Sequence, residues 1–194
     1  MPCSWPAHLA WVKQPQEDAR FHLARDDADD ITGAYQWPAG AALASDLEHH
    51  VNGHGQRVLD LGCGRGALGF TAISLAAQYV VFADASPIAI DLVQRTITAN
   101  KLNDRATVVQ LNWGDAPPLG PYDLILGGDI LYRPGLFPAL AHTIAQGLSP
   151  LGACLLSDPR TAVESNLPSI FKAVGLSWES KRRAAYTLFK CEHR

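Results

Sequence analysis

The stretch Val58-Leu59-Asp60-Leu61-Gly62-Cys63-Gly64-Arg65-Gly66-Ala67-Leu68-Gly69 narrows the possible folds more than any other part of this chain. Val58, Leu59 and Leu61 form a short apolar run that reads as a buried strand. The run breaks into closely spaced glycines, and a helical pattern follows from Phe70 to Gln78. Strand, glycine turn and helix is how an α/β fold offers backbone N–H groups and a helix N-terminus to a nucleotide-like ligand. The glycines permit tight backbone angles and close approach of that ligand.

The rest of the chain repeats the alternation. Before the glycine turn, Thr32–Gly40 is punctuated by Pro38 and Gly40, and a helix is predicted from Pro38 to about His50, with Trp37 partly buried against it. Asn52-Gly53-His54-Gly55 reads as a loop. After the turn, Tyr79–Ala83 is a continuous apolar run ending at Asp84, and Ser86-Pro87 starts a helix carrying Ile90, Val93 and Ile97. Ala106–Leu111 leads into Asn112-Trp113-Gly114-Asp115, and Tyr122–Gly128 leads into Asp129. Leu136, Leu140, Ile144 and Leu148 share a helical stripe. Ala153–Leu156 is a further strand ending near Asp158, Pro168–Val174 is helical, and Leu176–Lys181 with Tyr186–Lys190 reads as a closing strand pair. This order predicts an α/β fold, a doubly wound and mostly parallel seven-stranded sheet with helices on both faces. One domain over residues 1–194 is expected. Residues 1–31 form an N-terminal extension whose structure the sequence does not define. Its acidic cluster Asp26, Asp27, Asp29, Asp30 reads as a solvated loop, with recruitment of a basic substrate as the functional alternative.

Composition excludes several function classes. With 47% apolar and 18% charged residues, a globular protein is expected. A net charge of −3 supplies no broad reason to bind nucleic acid, and Lys181-Arg182-Arg183 is the densest basic patch. Met1–Ala10 does not read as a secretory leader, and no apolar run is long enough to predict a membrane span. Cys3, Cys63, Cys154 and Cys191 form no CxxC pair and have no His at ligand spacing. Free thiols, no metal and a reducing cytoplasm are expected. Nothing in the sequence sets an oligomeric state.

Ligands of open α/β sheets bind beyond the carboxyl ends of the strands, and here Asp84, Asn112, Asp129 and Asp158 stand at successive strand ends. The glycine stretch fits two frames. Gly64-Arg65-Gly66-Ala67-Leu68-Gly69 matches the GxGxxG of nicotinamide- or flavin-binding folds, and Asp84, 22 residues after Gly62, suits a ribose diol. Asp60-Leu61-Gly62-Cys63-Gly64-Arg65-Gly66 matches DxGxGxG. A carboxylate two residues before the first glycine would repel a phosphate. It would complement the sulfonium and amino groups of S-adenosylmethionine, which favours the second frame.

From about Thr32 to Lys190 the chain resembles the seven-strand methyltransferases of family 16, most of which are protein-lysine methyltransferases. The resemblance rests on Tyr35-Gln36-Trp37-Pro38-Ala39, Val58–Gly66, Phe82-Ala83-Asp84, Leu111-Asn112-Trp113, and Asp123–Tyr132, whose Asp129-Ile130-Leu131-Tyr132 fits the family's [D/E]xx[Y/F] signature. It implies S-adenosyl-L-methionine as cofactor, with Gly62, Cys63 and Gly64 along its methionine part and Asp60 near the amino group. Asp84 would meet the ribose diol, Trp113 the adenine, Trp37 would close the pocket, and Gly128 would give a close backbone contact. Gly66 and Asn112 complete the cofactor set. Asp129 and Tyr132 would face the methyl acceptor, implied to be a protein lysine; the sequence itself carries no strong nucleic-acid signal, and no membrane association is expected. A small-molecule N- or O-methyltransferase, a catalytically inactive nucleotide-binding module and a nicotinamide-dependent oxidoreductase stay open as alternatives.

Overall fold

A computed structural model describes residues 37–51, 55–160 and 166–194, together with the backbone of two short strands, β1 (Leu9–Trp11) and β2 (His22–Ala24). Cys3, the acidic cluster at 26–30, Thr32–Gln36 and most of the Asn52–Gly55 loop lie outside the described residues. β1 and β2 pair antiparallel, so part of the extension is strand.

From Trp37 onward the order is α1 (Pro38–Asp46), a 3-10 turn at Leu47–His49, β3 (Arg57–Leu61), α2 (Ala67–Ser74), β4 (Tyr79–Asp84), α3 (Pro87–Ala99) and β5 (Ala106–Gln110). It continues with β6 (Tyr122–Gly128), a 3-10 turn at Pro134–Leu136, α4 (Phe137–Gly147), β7 (Leu148–Asp158), α5 (Leu167–Ala173), β8 (Glu179–Arg182) and β9 (Thr187–Glu192). The seven-stranded sheet has the order β5-β4-β3-β6-β7-β9-β8. β5 through β7 are parallel, while β9 runs antiparallel to both β7 and β8. The doubly wound, mostly parallel sheet expected from the sequence is present.

Alternation along the strands builds a core on each face. Val58, Val80, Phe82, Leu124 and Leu126 bury one face beneath α1, α2 and α3. Leu59, Leu61, Val81, Ile125 and Leu156 bury the other beneath α4 and α5. Asp60 lies between Leu59 and Leu61, so its carboxylate falls on the α2 face although its surroundings are apolar.

Several boundaries differ from the sequence expectation, each for a local reason. The helix after the glycines spans Ala67–Ser74, not Phe70–Gln78. Gly66 takes φ +79° and turns the chain directly into the first helical turn, and Ala76 at φ +69° has already left the helix. In the predicted stripe, Leu136 sits exposed in a 3-10 turn and Leu148 opens β7. β7 is longer than Ala153–Leu156, but a register shift against β6 leaves Ala153–Ser157 as its regular part. The last strand pair lies later than expected, and Leu176 makes only an isolated bridge to His193. Trp37 is 48% exposed and does not pack into the core. Among the described residues, no helix is long and apolar enough to cross a membrane.

Candidate active site

The glycine turn is a tight loop held from several sides. Gly62, Gly64 and Gly66 have φ values of +67°, +51° and +79°, a region where side chains are disfavoured. The N–H groups of Gly62 and Cys63 both donate to the Ala83 carbonyl, at 2.8 and 3.0 Å, tying the turn to the end of β4. Asp84 continues that tie: its carboxylate accepts from the Gly64 N–H and from the Ser86 N–H, each at 2.9 Å. A carboxylate has about four lone-pair sites. Two remain on Asp84 for a ligand such as a ribose diol.

Two helix N-termini end at this rim, and both are capped from a distance. Neither N-cap residue, Trp37 for α1 or Gly66 for α2, has a side-chain acceptor to offer. In α2 the N–H of Gly69, at the third helical position, donates to Asp60 Oδ2 at 2.8 Å. In α1 the N–H of Gly40, also at the third position, donates to Asp129 Oδ2 at 2.7 Å. Each helix therefore takes its cap from a carboxylate at the carboxyl end of a sheet strand. The Asp129 backbone is tied as well, its N–H donating to the Ser157 carbonyl at 2.8 Å. Its φ of +57° is one that Asp and Asn tolerate better than other side chains.

Close backbone approach makes the second cap possible. A Cβ on Gly128 would stand 2.6 Å from Gly40 Cα, so β6 and α1 touch through two glycines. Gly128→Ala is expected to push α1 and Trp37 off the rim and cost about 1–3 kcal/mol. Thermal unfolding would register this as a drop of several degrees.

Burial sets the charge states. Asp60 is 1% exposed, and burial lifts its carboxyl to about 8, opposed by the Gly69 hydrogen bond and reinforced by the nearby Asp84 charge. Because the folded value lies far above the free value of 3.8, the folded form holds a proton that the unfolded chain has released. Asp60 therefore lowers stability progressively as pH rises from 3.8 to about 8. Asp60→Asn removes this titration. The difference in thermal midpoint between D60N and the wild type should therefore shift in the variant's favour from pH 6 to pH 8.5. Asp129 is also raised, chiefly by burial, with the Gly40 N–H and the Arg160 charge pulling the other way.

An open cleft lies between the glycine loop and α1. Trp37, Asp60, Gly62, Cys63, Gly64 and Gly128 from the sequence-derived set line it. Gly66 does not. A Cβ there would strike the rings of Phe70 and Phe82 at 2.8 and 2.9 Å, so this glycine serves helix packing. Asp84, Asn112 and Trp113 stand further along the rim, at the ends of β4 and β5. Asn112 is exposed, and its carbonyl accepts from the Asp115 N–H at 3.2 Å. Trp113 is half-buried and meets the Tyr132 ring edge-on, with centroids 6.4 Å apart. Tyr132 is 52% exposed and also carries the Arg133 guanidinium over its face at 5.4 Å.

Sequence reasoning left Gly40, Ala41, Arg65, Ala67 and Leu68 out of the site, yet all line the cleft. Gly40 had a visible signal, since a glycine in the first turn of a helix is costly unless something must approach it. Asp158, the last of the four polar strand-end residues, is fully buried. It accepts from the Arg160 N–H at 2.9 Å and from Arg160 Nε at 2.8 Å, and it pairs with a second guanidinium nitrogen as well.

The chain is similar to known proteins in sequence and in fold. Residues 16–166 match the sequence model of the lysine methyltransferase family. The protein N-lysine methyltransferase METTL21A of Danio rerio is 37% identical over 132 residues, covering 64% of this chain and 60% of that protein. The ribosomal protein L11 methyltransferase of Prochlorococcus marinus is 33% identical over 170 residues, covering 86% of this chain and 55% of that one. The chain thus spans little more than half the length of these relatives. Among solved structures, the TehB-like SAM-dependent methyltransferase of Corynebacterium glutamicum superposes with a TM-score of 0.65 at 18% identity. That superposition covers 86% of this chain and 90% of that one, and shows a shared fold.

Proposed function

The chain belongs to the lysine methyltransferase family, and from that membership we propose that it transfers a methyl group from S-adenosyl-L-methionine to a lysine side chain of a protein. The observation that carries this reading is the placement of Asp129. Its carboxylate is fixed at the end of β6, next to cleft-lining Gly128, with Tyr132 exposed three residues further on.

The cleft suits the cofactor on its own chemistry. The first N–H groups of α2 carry the helix's partial positive charge to the cleft at Ala67 and Leu68, which fits a carboxylate. Asp60 beside them fits an amino group, and the unused lone pairs of Asp84 fit a diol. Trp113 and Trp37 would cover the adenine side and the mouth. When bound, S-adenosylmethionine supplies an electrophilic methyl group on a sulfonium.

The chain's own residues then have to orient an amine and keep water away. A lysine ammonium has an ordinary pKa of about 10.4 and must lose a proton before it can attack. Its entry into the cleft disfavours the charged form by desolvation. Asp129 would first hold the ammonium through a charge-assisted hydrogen bond and then direct the lone pair of the free amine. Tyr132 and Trp37 would supply aromatic faces for the cationic side chain. In this scheme Asp129 orients the amine and abstracts no proton.

The test combines two measurements. Calorimetry with S-adenosylmethionine or its demethylated product should show saturable binding, and preference for a nicotinamide cofactor would overturn the reading. Incubation with labelled S-adenosylmethionine and a cell lysate should label a discrete protein band at lysine. Label confined to small molecules would point to a small-molecule acceptor, and binding without any transfer to an inactive module. Affinity for the cofactor is expected to rise with pH through about 8, because a cationic ligand favours ionised Asp60. D60N should bind more weakly and lose that pH dependence. The buried free thiols of Cys63, Cys154 and Cys191 accord with a reducing cytoplasm as the compartment.

A further inference from the structure

Among the described residues the sheet ends at β8, an exposed edge strand whose carboxyl end is basic. All four residues of Glu179–Arg182 are exposed, and Lys181 and Arg182 are followed at the hairpin turn by Arg183. Among the described residues no carboxylate lies within ion-pair distance of these three cations, whereas Arg95, Arg160 and Lys190 each have one. This concentration stands out in a chain whose net charge is −3. Edge lysines also discourage sheet-to-sheet pairing. What sets these apart is where the sheet register puts them.

Lys181 pairs with Leu188, Leu188 with Ser157, and Ser157 with Gly128. The next row runs from Arg182 through Thr187 to Asp158. Both rows therefore begin beside Asp129 and end at the cations. Three strand spacings put Lys181 about 14 Å from Gly128 along the rim. An extended chain covers that distance in about four residues. Arg182 is steadied in place, its guanidinium donating to Thr187 Oγ1 at 3.1 Å.

We propose that the Lys181–Arg183 end of the rim docks an acidic stretch of the protein acceptor, placed about four to six residues from the lysine that enters beside Asp129. This inference rests on the protein-lysine reading of the site. An acidic peptide fits better than a nucleic acid. Three cations are few for a phosphate backbone, and among the described residues no exposed aromatic beside them offers a base a stacking face. The neighbouring Trp178 is already stacked between Phe171 and Phe189, at 4.5 and 4.9 Å.

Fluorescence anisotropy in the presence of saturating S-adenosylhomocysteine tests the proposal with three probes. The first is a labelled peptide with one lysine followed four to six positions later by glutamates. The second replaces those glutamates with glutamines, and the third is a short single-stranded RNA. In low salt the acidic peptide should bind about tenfold more tightly than the glutamine peptide. The double substitution Lys181→Glu, Arg182→Glu should erase that difference, with an unchanged thermal midpoint as the fold control. Equal binding of the two peptides, or a preference that survives the charge reversal, overturns the proposal. So does RNA binding tightest and being lost on reversal. Methyl transfer to the bound peptide is scored separately. Patch-dependent binding without transfer counts against the catalytic reading and leaves the docking surface standing.

Discussion

Asp129→Asn should melt within about 2 °C of the wild type and still lose at least about 100-fold in methyl transfer. The amide oxygen can accept from the Gly40 N–H as the carboxylate does, so α1 keeps its cap. Asn also tolerates the φ of +57° at this position. What disappears is the negative charge that would hold an ammonium. Asp129→Ala removes charge and cap together, and places alanine in a conformation it disfavours. A stability loss of about 1–3 kcal/mol is expected for it, or roughly 2–12 °C in a chain of this size. Its cofactor binding should weaken too, because Gly40, Ala41 and Trp37 line the cleft from the helix that Asp129 holds. Calorimetry and transfer assays on both variants separate the two roles. If D129N transfers at the wild-type rate, the carboxylate is a helix cap and nothing more.

Gly69→Ala should be the most destabilising small substitution in the cofactor-side core. A Cβ at this position would stand 2.2 Å from Phe82 Cε1 and 2.7 Å from its Cζ, and the Phe82 ring is fully buried. The ring cannot move aside, because Phe70 lies against it with centroids 4.6 Å apart. Overpacking of this kind costs about 3 kcal/mol, a fall of roughly 6–12 °C. Lifting α2 off β4 also lengthens the bond from the Gly69 N–H to Asp60, so the helix loses its cap and the glycine loop its support. Phe82→Leu should destabilise the wild type yet partly rescue the Gly69→Ala variant, a non-additivity that a double-mutant cycle would measure. Additive losses would show that the clash is relieved elsewhere.

Much of the site could be read from the chain because its signals are local. Val58–Leu61 and the glycines after it are a strand and a left-handed turn whatever surrounds them, since only glycine takes three such φ values cheaply. The apolar runs of β4 and β6 and the Ser86-Pro87 helix start are equally local, so sheet class and strand ends followed from them. Helix limits were less legible. Whether Phe70 or Ala67 begins α2 depends on the φ of one residue, Gly66, and an apolar stripe does not report it.

Residue identity by itself determined the kind of chemistry at the rim: carboxylates at strand ends, glycines between them, aromatics beside Asp129. Tertiary structure decided what those carboxylates hold. Asp60 caps one helix through Gly69, 9 residues later in the chain, and Asp129 caps another through Gly40, 89 residues earlier. A hydrogen bond across such a separation leaves no periodic mark on the sequence, because it depends on how helix and sheet meet. The cations of β8 reach the same rim for the same reason. Pairing through β9 and β7 aligns Lys181 with Gly128, and strand register is a property of the assembled sheet.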